Sequence, residues 1–112
     1  MFDRRYEQFT AIKDFLGSIM RTGKSKPDEQ LKYLTRTRGL RFIFDKKISD
    51  YVNTEIWHLA IDLECLQDEL EGVPRGEERT INVKKQSEIK KKLRDRFELL
   101  EEKFSKYLQL DH

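Results

Sequence analysis

The chain has 112 residues, enough for a single domain (1–112) with one modest core. Apolar residues make up 37% and charged residues 39%, against about 25% charged in ordinary globular proteins, and that surplus fits a thin, elongated helical bundle. Seven Phe, four Tyr and one Trp at helical spacing exclude a disordered chain. A net charge of +2 excludes a global field toward nucleic acid or membrane. The single Cys65 excludes an internal disulfide, and no run reaches the length of a membrane span or the form of a secretory signal.

The first predicted helix runs from about Phe2 to Thr22. Phe2, Tyr6, Phe9, Ile12, Leu16 and Ile19 form its apolar stripe, widened by Phe15 and Met20, and Gly23 ends it. Gly17 inside it implies close packing against another helix. After a polar link, Pro27 suits the first position of a short second helix, and Asp28 and Glu29 suit its first turn. Leu31, Leu34 and Tyr33 are expected to face inward, and the helix is expected to stop near Arg38-Gly39. Leu40 to Phe44 has no strand to pair with and reads as an apolar plug at one end of a bundle.

The central element is a helix from Asp45 to Glu71. Ile48, Val52, Ile56, Leu59, Leu63, Leu66 and Leu70 step by 4, 4, 3, 4, 3 and 4, one stripe of an α-helix. Asp45 is its predicted N-cap, and Gly72 its C′ residue in the left-handed region. Val73 to Gly76 makes a break. A last helix then starts between Glu77 and Asn82 and runs to about Leu108, with Ile89, Leu93, Phe97, Leu100, Phe104 and Tyr107 as its stripe. Short connections favour antiparallel neighbours, so the fold class is all-α: an antiparallel up-down helical bundle of three long helices and one short one. Its core is expected around Phe9, Leu16, Ile56, Leu59, Leu63, Leu93, Phe97 and Leu100. Trp57 is expected partly exposed or at a second helix contact. Tyr51, Trp57, Ile61, Leu99 and Leu110 lie beside the stripes and would favour a homodimer if left uncovered.

No chemistry stands out. His58, Asp62 and Cys65 share one helix, but the spacing matches no established ligand signature. No nucleophile has an evident base, and there is no phosphate-binding glycine loop. The expectation is no enzyme, no catalytic residue, no metal and no cofactor.

Charge is more informative. Asp62, Glu64, Asp68, Glu69 and Glu71 form an acidic block with no Lys or Arg between them. Lys84, Lys85, Lys90, Lys91, Lys92, Arg94 and Arg96 form a basic one, opposed by Glu88 and Asp95. Acids near a helix C-terminus and bases near an N-terminus both oppose the macrodipole, so helix electrostatics does not explain them. Pairing across the hairpin would set its register; otherwise the acids are a partner surface. A second basic cluster comprises Arg21, Lys24, Lys26, Lys32, Arg36, Arg38 and Arg41. It reads as a solvated face or a phosphate-binding patch, and Arg38 and Arg41 could also serve helix-end carbonyls. It lacks the interleaved aromatics of a single-strand binder.

Three passages carry a resemblance: Phe2-Asp3-Arg4-Arg5-Tyr6; Thr37-Arg38-Gly39-Leu40-Arg41-Phe42-Ile43-Phe44-Asp45; and Phe104-Ser105-Lys106-Tyr107-Leu108. Together they resemble a group of small uncharacterised bacterial proteins that carry an N-terminal membrane anchor followed by a cytosolic helical domain. The resemblance implies a cytoplasmic location, with a longer form tethered to the inner membrane. Met1 stands directly before the first passage, so the expectation is a form of this domain without that anchor. It also implies that helix one runs away from the membrane, which puts Arg21, Lys24 and Lys26 at the far end of the bundle.

The leading functional expectation is a non-catalytic helical protein–protein interaction module of unknown pathway. Its partner surface is expected among Asp62, Glu64, Asp68, Glu69, Glu71, Arg21, Lys24, Lys26, Arg36, Arg38 and Arg41. The alternatives are a small phage or mobile-element inhibitor that blocks a host nucleoprotein by charge mimicry, and a weak nucleic-acid-binding module. Nucleic acid is the disfavoured partner, and a membrane would enter only through an anchor.

Overall fold

A first helix, α1, spans Arg4–Thr22 in the computed structural model, which describes residues 4–40 and 44–108 with side chains as far as Ser105. It stops where predicted. Gly23 takes a φ of 71°, a left-handed conformation that costs glycine little, and its N–H donates to the Ile19 carbonyl at 2.7 Å. Phe9, Ile12, Phe15, Leu16 and Ile19 are buried. Tyr6 is not part of the stripe: it is exposed, and its ring only skirts Phe9, at 6.1 Å between centroids. The expectation of close packing at Gly17 is corrected too. A Cβ there would meet Arg21 and Phe97 at 3.8 and 3.9 Å, ordinary contact distances.

The short α2 spans Pro27–Arg36, with Pro27 in its first turn. Of the three residues expected to face inward, only Tyr33 does. Tyr33 and Gln30 are buried, while Leu31 is 66% and Leu34 47% exposed. The ring of Tyr33 decides this: it stacks on Phe15 at 4.3 Å and on Trp57 at 5.9 Å, and that stacking fixes the helix rotation. The Arg36 carbonyl at the end of α2 accepts from Gln8 Nε2 at 2.8 Å, not from Arg38. Leu40 and Phe44 are buried as a plug would be; Arg41, Phe42 and Ile43 lie outside the described residues.

Asp45 is the N-cap predicted for the central element; its Oδ1 accepts from the Ile48 N–H at 3.0 Å. The element is a continuous rod of three pieces: α3 (Lys46–Asp50), a π-helical segment (Tyr51–Trp57) and α4 (His58–Glu71). The uniform α-helix of the expectation is therefore wrong over seven residues. The reason lies in the spacing. A step of four residues overshoots one α-helical turn by about 40° at 3.6 residues per turn. Ile48, Val52, Ile56 and Ala60 make three such steps, yet all are 0–2% exposed. Wider turns, bonded i→i+5, cancel the drift and keep all four inside. Leu59 is accordingly only half-buried, and Ala60 takes its place.

Gly72 does not adopt the expected left-handed conformation; its φ is −99°. The strained position of the hairpin is Gly76, with φ 144° and ψ −165°, immediately before α5 (Glu77–Glu98). That region is essentially restricted to glycine. The last helix is broken, also against expectation. A turn at Leu99 separates α5 from α6 (Leu100–Leu108), opposite the π-helical segment, where Arg96 meets Glu55 at 3.5 Å. Side-chain placement for Tyr107 and the position of Leu110 lie outside the described residues.

Specific contacts give the topology. Gln8 reaches Arg36 and Phe15 reaches Tyr33, so α2 runs antiparallel to α1. Phe15 meets Trp57 and Ser25 meets Gln67, so the rod runs parallel to α1. Glu55 meets Arg96 and Leu66 meets Asn82, which makes α5 antiparallel to the rod. Phe9 packs on Phe104 at 5.7 Å in the same sense. The fold is thus an all-α up-down bundle of three long passes and one short one, 56 × 24 × 23 Å, with no strand among the described residues. Phe9, Leu16, Ile56, Leu63, Leu93 and Leu100 are buried as expected, and Leu59 and Phe97 pack at the margin. Among the described residues no helix is long and apolar enough to cross a membrane.

Candidate functional site

The charge blocks meet at the end of the bundle farthest from Arg4. Gln67 on α4 fixes the geometry there. Its Nε2 donates to the Gly23 carbonyl at 2.8 Å, and its Oε1 accepts from the Ser25 N–H at 3.3 Å. Gln30 completes the clasp by donating to Ser25 Oγ at 3.0 Å. The link between α1 and α2 is therefore held against α4, which explains why Ser25 and Gln30 are buried. Beyond it, Asn82 Nδ2 donates to the Leu66 carbonyl at 2.9 Å, and Gln86 Nε2 to Asn82 Oδ1 at 2.7 Å. Polar side chains pair the outer hairpin where apolar ones run short.

This clasp brings two of the predicted clusters together. A groove of 690 Å³ is lined by Lys24 and Lys26 from the α1–α2 link, Glu64, Asp68 and Glu71 from α4, and Arg79 and Lys90 from α5. The three acids step by 4 and 3, one stripe of α4. Asp62 lies around the helix from them and lines a second groove with Cys65, Lys85 and Lys92. The expected pairing across the hairpin is absent. None of Asp62, Glu64, Asp68, Glu69 and Glu71 makes an ion pair among the described residues. Of the bases from Lys84 to Arg96, Arg96 alone is paired there, with Glu55. Buried amides, not surface ions, set the register of the hairpin.

The basic cluster from Arg21 to Arg41 is not one patch. Arg21, Lys24 and Lys26 sit at the groove end. Arg36 lies at the other end of α2, about 15 Å away at 1.5 Å per residue, bound to Asp14 at 2.8 Å. Arg38 is exposed beyond it, and Arg41 is outside the described residues. Between these ends, Pro27, Leu31 and Leu34 share the outer face of α2, and Pro27 also lines the charged groove. An apolar strip thus continues directly out of the groove.

His58, Asp62 and Cys65 are all exposed, and no group of three or more His, Cys, Asp or Glu able to hold a metal occurs among the described residues.

Sequence reasoning missed one further site. A cleft of 640 Å³ opens between the π-helical segment and the break at Leu99. Ile48, Tyr51 and Leu99 give it an apolar floor, and Lys47, Glu55, Arg96, Glu102 and Lys103 a charged rim. Lys103 Nζ lies 4.8 Å from the centre of the Tyr51 ring. Burial pushes the Tyr51 hydroxyl above its usual range, with Arg96 opposing and Glu55 adding to the shift. The available signals were the four-residue steps around Val52, and Tyr51 and Leu99 standing off their stripes.

No family model matches the chain, and the comparisons with curated proteins and with solved structures found no match.

Proposed function

We propose that the protein is a non-catalytic helical interaction module that docks a protein partner on the outer face of α2 and in the charged groove beside it. One observation carries this reading: the short pass α2 buries a Gln and a Tyr and turns Leu31 and Leu34 outward, 66% and 47% exposed. Two leucines on one face of an exposed helix, framed by charges of both signs, have the anatomy of an interface: an apolar centre with a polar rim. The unpaired stripe of Glu64, Asp68 and Glu71 supplies charge for specificity and for rapid association. The resemblance to cytosolic helical domains adds the expectation that this happens in the cytoplasm.

Affinity capture from the native host, with mass spectrometry of the bound proteins, tests the reading when run beside the Leu31→Ser, Leu34→Ser double variant. A partner held by the unaltered chain and lost by the variant supports it, provided the two melt alike. A partner retained equally by both moves the interface elsewhere.

The same acidic stripe favours a second reading, the charge mimic. Three carboxylates at helical spacing, with no ion pair among the described residues, could occupy the phosphate sites of a nucleic-acid-binding protein. Under that reading Glu64→Gln, Asp68→Asn and Glu71→Gln together abolish capture, and the leucine changes do not.

A further inference from the structure

The cleft between the π-helical segment and Leu99 shares no residue with the α2 face or the charged groove. Two helix irregularities, the π-helical segment and the break at Leu99, stand opposite each other there, and residues of both line the cleft. π-helical turns within α-helices are frequent at functional sites. The volume of 640 Å³ falls within the range of small-molecule sites.

The lining has two halves. Ile48, the ring of Tyr51 and the half-exposed Leu99 make an apolar half. Lys47, Arg96 and Lys103 make a cationic half, against Glu55 and Glu102. Arg96 is underused. Its one ion pair among the described residues, from Nη2 to Glu55, is long at 3.5 Å. A guanidinium carries five donors in a planar fork suited to a carboxylate. Glu55 engages one of them loosely. We propose that this cleft binds a small amphipathic carboxylate, its anion on the Nη edge of Arg96 and on Lys103, its hydrocarbon over Tyr51 and against Leu99.

The proposal predicts opposite effects from the two members of one ion pair. Arg96→Gln removes the anion's main donor. Glu55→Gln removes a competitor for the same donors and a like charge beside the ligand. Isothermal titration of the full chain with decanoate, below its micelle concentration, reads both. Saturable one-to-one binding is expected, weakened about ten-fold or more by Arg96→Gln and strengthened several-fold by Glu55→Gln. Lys103→Gln, a change at the rim, weakens it by a smaller factor and serves if Arg96→Gln fails to melt cooperatively. Decanol, with the same chain and no charge, binds at least about ten-fold more weakly. Equal binding of decanol, an absence of saturable binding, or a loss of affinity with Glu55→Gln overturns the assignment.

Discussion

The body of the bundle and its outer hairpin are held by different forces. In the body, aromatic rings from all four passes interlock: Phe9 and Phe44 pack on Phe104, and Phe15, Tyr33 and Trp57 form a stack. Past the end of α1 only α4 and α5 remain, and a two-helix hairpin cannot surround a core. Its buried positions are filled by Asn82 and Gln86, and Ile81 and Val83 are left about half exposed. Where passes are many, burial stabilises; where they are few, directed hydrogen bonds hold the pair. The hairpin should therefore open locally at lower free energy than the body, with faster amide exchange from Leu70 to Val83 than in α1.

The largest way to break the contrast is Phe104→Ala. It removes the ring shared by Phe9 and Phe44 and should cost about 3–5 kcal/mol in denaturant melts. A cost below about 1 kcal/mol would mean that the body is not organised around that ring. Leu63→Ala, fully buried on the rod, should cost about 2–5 kcal/mol by the same mechanism.

Asn82→Ala sharpens the comparison. It removes the second hydrogen bond of the Leu66 carbonyl and leaves the buried Gln86 amide without its acceptor, at about 1–3 kcal/mol. The increase in exchange should be confined to the hairpin. A uniform increase over α1 and α2 would show one cooperative unit instead of two regimes.

Alkaline melts probe the aromatic stack. Burial raises the Tyr33 hydroxyl well above its usual range, and that hydroxyl has no protein hydrogen-bond partner. Below pH about 10 both folded and unfolded chains keep this proton. Above it the unfolded chain loses the proton first, so stability falls as pH rises. Tyr33→Phe should flatten that fall and raise stability at neutral pH by about 1 kcal/mol. A melting temperature that falls as steeply with alkali in Tyr33→Phe as in the unaltered chain would exclude Tyr33 as the cause. The smallest expected effect has the opposite sign to most substitutions. Gly17→Ala should stabilise α1 by about 0.5–1 kcal/mol, because the added methyl meets only ordinary contacts. Destabilisation would reveal a tighter approach to Phe97.

Much of this was legible in the chain. Gly23, Pro27 and Asp45 marked boundaries because each supplies a backbone conformation or a cap that few residues can. The long stripes gave the passes and most of the core. The rotation of α2 was not legible, since a ten-residue helix offers two plausible faces. Tyr33 faces inward as expected, its ring between Phe15 and Trp57, and that rotation leaves the two leucines outside. The π-helical turns were hidden because steps of four fit both helix types over a short run. Side-chain pairing between charge blocks failed for a different reason. Blocks that lie opposite in sequence can line separate grooves, and here the carboxylates of Glu64, Asp68 and Glu71 face the α1–α2 link instead. The cleft at Tyr51 depends on two irregularities that periodicity alone does not locate.

An even number of passes has a mechanical consequence. Arg4 starts at the end of the bundle where Phe104 closes it, so the first and last helices share one pole. A tag, a resin or a neighbouring domain joined at either terminus would leave the opposite pole pointing outward by nearly the full 56 Å of the molecule. Immobilising the chain by its N-terminus or its C-terminus should then give the same access to the charged groove. A circular permutant that joins the old ends and opens the Val73–Arg75 turn would reverse that presentation while keeping every pass in place.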